Sequence, residues 1–120
     1  MNDTPLKGTP KLGERDRLIL ELIDEASREV RWMRDADCHL EAFDSASWKT
    51  TQHLAHNLAA RANALNLAVL ARGAQELEQF ASKVLGNSRA DRPSDVYAAQ
   101  VAIELIEIEL DTLKMEFGAG

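Results

Sequence analysis

Four stretches of this 120-residue chain repeat apolar residues every three or four positions, the spacing that gathers side chains on one face of an α-helix. The first holds Leu18, Leu22, Ala26, Val30, Met33 and Leu40, with Ile19 and Ile23 widening its stripe. The second holds Thr51, Leu54, Ala55, Leu58, Ala62 and Leu65, and the third Leu67, Leu70, Ala74, Leu77, Ala81 and Val84. Ile103, Ile106, Leu110, Leu113 and Phe117 make the fourth. Each such helix must bury its stripe against others. Four of them joined by short connections predict an all-α, antiparallel up-down-up-down four-helix bundle.

Turn signals divide the chain accordingly. Pro5, Gly8, Pro10 and Gly13 mark residues 1–13 as a flexible arm, leaving 14–117 for the bundle. The first helix is predicted over about 14–42, after which Asp44-Ser45-Ala46-Ser47 supplies capping residues for the second. The second should stop at Asn66, because asparagine tolerates the left-handed conformation that ends helices. Gly86 to Pro93 reads as a loop, with Ser94 and Asp95 opening the last helix. Within that helix, residues 104–110 alternate acidic and apolar side chains, which is a strand signal. The uninterrupted 3-4-3-4 spacing from Ile103 to Phe117 overrides it. Trp32, Trp48 and Phe80 are expected to pack between helices.

Composition narrows the function. The formal net charge of -6 argues against nucleic acid, which needs a basic footprint. Arg15, Arg17, Arg28, Arg31 and Arg34 are interleaved with acids, the mark of a solvated helix face. No apolar run reaches the ~20 residues that span a bilayer, so no membrane association is expected. Met1 to Pro5 lacks the charged and apolar regions of a secretory signal, and Cys38 is the only cysteine, which makes the cytoplasm the expected compartment. Asp35 and Asp37 disfavour a thiolate at Cys38. His53 and His56, with His39 or Cys38, have the residue types of a metal site, but no Glu-x-x-His motif accompanies them, and no metal is expected. No glycine-rich phosphate loop is present either, so the chain should not use ATP as a phosphate donor.

One histidine stands apart. At about 100° per residue, His56 projects roughly 150° away from the apolar stripe of its helix, so its imidazole points outward. Lys49, Gln52, His53, Ala60 and Asn63 share its side. A floor of small residues leaves Nε2 open to an approaching protein.

The run Leu54-Ala55-His56-Asn57-Leu58-Ala59-Ala60-Arg61-Ala62 resembles the phosphoacceptor helix of histidine-containing phosphotransfer (HPt) domains, whose pattern reads Ala-His-x-Leu-Lys-Gly-Ser-Ala. Ala55, His56, Leu58 and Ala62 match it, Asn66 stands at the following turn, and Leu77-Glu78 closes the next helix at the expected distance. Asp44 and Trp48 resemble the family's acidic and aromatic lead-in. Ala59 replaces the usual lysine and Ala60 the usual glycine. The resemblance covers about residues 14–117 and implies a four-helix bundle in which His56 accepts a phosphoryl group from a receiver-domain aspartyl phosphate and hands it to another receiver.

What the resemblance implies about partners is equally definite: response-regulator receiver domains and, upstream, a hybrid histidine kinase. It implies no cofactor of the chain's own, Mg²⁺ residing on the receiver. Gln52, one turn before His56, is positioned to orient the ring or meet phosphoryl oxygens, and Lys49, two turns before it, to replace the lysine missing at 59. His53, Ala59, Ala60, Asn63 and Ala64 form the predicted docking surface. Two other readings stand beside this one: a degenerate HPt-like bundle that docks partners without accepting phosphate, and a helical adaptor in which His56 is incidental.

Overall fold

A computed structural model describes residues 4–37, 45–86 and 92–118, and these form four helices with no strand among them. They are α1 (Thr4–Asp37), α2 (Ser45–Ala64), α3 (Ala68–Gly86) and α4 (Arg92–Gly118). Each packs on its neighbours in order, with α4 closing back on α1, and among the described residues no Cα atoms of the diagonal pairs α1/α3 and α2/α4 come within 8 Å. The result is the expected all-α four-helix bundle. Its cross-section of 21 × 20 Å is two helix diameters, so every helix keeps one outward face.

The core is the four stripes brought together. Ile19, Leu22, Ala26, Val30 and Met33 of α1, Leu58 of α2, Leu70 and Leu77 of α3, and Ile103, Ile106 and Leu110 of α4 are buried in one continuous apolar cluster. Leu18 is 41% exposed, so the α1 stripe centres on Ile19 and Ile23 instead. Trp48 is buried and Phe80 half-buried against the core, whereas Trp32 lies exposed on the outside of α1, contrary to expectation.

Two boundaries differ from the sequence reading. α1 begins at Thr4, so the expected arm over 1–13 is helical from residue 4 onward. Pro5 falls in the first turn, where its missing N–H removes no intrahelical bond, and Gly8 and Gly13 cost about 1 kcal/mol each in propensity without forbidding helix. α4 begins at Arg92, two residues earlier than Ser94. Cys38, His39, Leu40 and Asp44, and most of the predicted loop after Gly86, lie outside the described residues.

The α2–α3 turn fixes the geometry that follows. Asn66 adopts φ 60°, as its sequence position predicts. The Leu67 N–H donates to the Ala62 carbonyl at 2.9 Å and the Asn66 N–H to that of Asn63 at 3.0 Å, the paired bonds of a Schellman motif. Arg15 Nη2 of α1 donates to the Leu65 carbonyl at 2.6 Å, satisfying another helix-end acceptor. Alanines Ala55, Ala59 and Ala62 of α2 and Ala71, Ala74 and Ala81 of α3 are buried, which lets the two helices lie close.

Candidate functional site

His56 stands on the solvent side of the α2–α3 pair, its side chain 65% exposed. Its Nδ1 lies 3.1 Å from Oε2 of Glu78 on α3. An ionised carboxylate only accepts, so in the neutral ring this contact places the proton on Nδ1 and leaves the lone pair on Nε2 of the exposed side chain. One turn earlier on α2, Gln52 Nε2 donates to Ser82 Oγ at 2.6 Å, and Ser82 Oγ in turn donates to the Glu78 carbonyl at 2.9 Å. The two cross-helix ties sit four residues apart on both helices, 52 with 82 and 56 with 78, which is the register of an antiparallel pair. Together they hold the imidazole's base on a rigid support.

The predicted site residues divide into three groups. Ala60, Asn63, Ala64 and His53 are exposed along α2 beside His56, as a docking face requires. His53 Nε2 accepts from Asn57 Nδ2 at 3.3 Å, so the nitrogen corresponding to the free one on His56 is engaged. Lys49 is exposed two turns before His56, about 10 Å along the axis. Ala59 departs from expectation: it is only 5% exposed, because it lies about 60° around the helix from His56, where α3 closes over it. It underlies the face rather than forming its floor. Gln52 also differs, since its amide is tied to Ser82 and serves as a crossbar between helices instead of contacting the ring.

Glu78 and Ser82 are the residues that sequence reasoning missed as partners. The signal is that they are four apart on α3, as Gln52 and His56 are on α2, but pairing them requires the inter-helix register. Arg61, the nearest arginine on α2, turns away to Glu25 of α1, forming an ion pair on another side of the bundle. Glu78 is thus the charged side chain in contact with the His56 ring, and Lys49 is an exposed cation two turns along the same face of α2. Among the described residues no group of three His, Cys, Asp or Glu side chains is placed to hold a metal ion. No described helix is long and apolar enough to cross a membrane.

Fold and site thus define a four-helix bundle that presents two histidines on one face of α2 among the described residues, His56 tied through Nδ1 to Glu78 and His53 through Nε2 to Asn57. Comparison with family models, with curated proteins and with solved structures finds no match to this chain.

Proposed function

We propose that this chain is a histidine phosphotransfer protein of a two-component phosphorelay, with His56 as the phosphoacceptor. The observation that carries the reading is the His56–Glu78 contact, which leaves the lone pair on Nε2 of an exposed side chain, on a helix floored by small residues. In the proposed step that lone pair attacks the phosphorus of a receiver's aspartyl phosphate. The N–P bond forms as the P–O bond to the aspartyl carboxylate breaks, and the carboxylate leaves with the electron pair. The Nδ1 proton stays where Glu78 accepts it, and the carboxylate offsets positive charge developing on the ring. Return of the group to a second receiver is the same step reversed.

Such transfer rests on positioning and electrostatics around a loose, in-line transition state. The bundle supplies an oriented ring; the Mg²⁺ and acid cluster belong to the receiver, as the family resemblance implies. Docking over Ala60, Asn63 and Ala64 buries a modest area, suited to a transient encounter.

Ala59 favours one second reading. Without the usual lysine, and with Glu78 beside the ring, the face suits docking of a receiver without phosphoryl transfer. Incubation with phosphorylated receivers distinguishes the two: transfer predicts acid-labile label on the wild type and on His53→Gln, and none on His56→Gln. Binding with no label from any receiver tested supports the docking reading.

A further inference from the structure

α4 carries two apolar stripes, and only one of them is used by the bundle. Ile103, Ile106, Leu110 and Leu113 are buried. On roughly the opposite side, Val101, Leu105, Ile108 and Met115 are 36%, 55%, 61% and 75% exposed. With Thr112 they run 101, 105, 108, 112, 115, the alternating four-and-three spacing of a coiled-coil seam. Thr112 Oγ1 donates back to the Ile108 carbonyl at 3.0 Å, so its hydroxyl needs no partner across that seam. The acidic–apolar alternation of residues 104–110 is the sequence trace of these two stripes on one helix. Beside them, Val69, Arg72 and Gly73 of α3 complete a groove of about 310 Å³ with Leu105 and Ile108.

Charge identifies the occupant. With Leu105 and Thr112 at heptad position a, and Ile108 and Met115 at d, the flanking e and g positions from 104 to 116 are Glu104, Glu109, Asp111 and Glu116. These positions set partner choice in coiled coils. All four are acidic, so pairing with α4 of a second copy, in either direction, sets carboxylate against carboxylate. We infer that this face docks an amphipathic helix of another protein, one whose apolar seam is flanked by lysine or arginine. α4 is diagonal to α2, so the docking leaves the His56 face open and does not depend on what His56 does.

The test uses the full chain and three synthetic three-heptad peptides: one with leucine and isoleucine at a and d and lysine at e and g, one with glutamate at e and g, and a scrambled version of the first. Fluorescence anisotropy at physiological salt is expected to show saturable binding of the lysine peptide alone. Binding should weaken at least tenfold, about 1.4 kcal/mol, for the double variant Leu105→Gln, Ile108→Gln. Both side chains are exposed, and circular dichroism verifies that the variant keeps its helix content. Absence of binding by the lysine peptide, equal binding by the scrambled peptide, or unchanged binding by the double variant overturns the inference. So does sedimentation showing that the protein dimerises by itself and that the double variant abolishes the dimer.

Discussion

His56 and Glu78, 22 positions apart in sequence, meet across the α2–α3 groove with Nδ1 and Oε2 at 3.1 Å. Both side chains are partly solvated, so the contact adds little to stability; exposed pairs give about 0.2–1 kcal/mol. Its consequence is for the ring's tautomer. Replacing Glu78 by leucine removes the acceptor, and long-range ¹H–¹⁵N spectra should then show the His56 proton redistributed towards Nε2. Phosphoryl transfer should slow by about threefold, the kinetic equivalent of roughly 0.7 kcal/mol in an exposed pair.

The docking face gives a second prediction. Ala60 is exposed, so Ala60→Phe should leave the melting temperature within about 2 °C of wild type, as surface substitutions usually do. The ring would wall the approach to Nε2, and the transfer rate should fall at least tenfold, about 1.4 kcal/mol. Thermal melts and single-turnover label transfer read the two effects separately.

Asn66 tests the turn that sets the α2–α3 register. At φ 60° a Cβ is strained, asparagine less than most and glycine not at all. Asn66→Ala should be less stable than Asn66→Gly by about 1 kcal/mol in urea unfolding, with Asn66→Gly at or above wild type.

Glu29 on α1 predicts a pH dependence. Burial raises its carboxyl above the ordinary value, with Glu25 adding to the effect and Arg61 and Arg28 opposing it. The fold therefore favours the neutral form, and this stabilisation is present at acidic pH and lost as pH rises through the native-state value. Glu29→Gln cannot ionise. Its melting temperature relative to wild type should rise as the pH is taken from the acidic side to neutral, the gain being small because the group is partly solvated.

Local signals carried most of the fold in the sequence. Asn66 at the turn, the outward projection of His56 and the 3-4 spacing of α4 are each properties of a few neighbouring residues, and each appears in the structure as read. What escaped needed packing. Leu18 and Ile19 are adjacent and equally apolar, and only contact with α4 and α2 decides which one enters the core. Glu78 enters the sequence reading only as part of the Leu77-Glu78 pair, and the antiparallel register is needed to bring it to His56. Pro10 reads as a breaker, yet α1 continues through it to Thr4. The strand-like alternation of residues 104–110, which the 3-4 spacing overrides, arises because α4 is apolar on two sides.

The regiochemistry of the phosphorylated protein tests the central claim most directly. After incubation with a phosphorylated receiver, ³¹P and ¹H–¹⁵N correlation spectra should place phosphorus on Nε2 of His56, with Nδ1 still protonated. Phosphorus on Nδ1 of His56, or on His53, would contradict the role given to the Glu78 contact, and a protein that takes no phosphoryl group from any receiver it binds would contradict transfer itself.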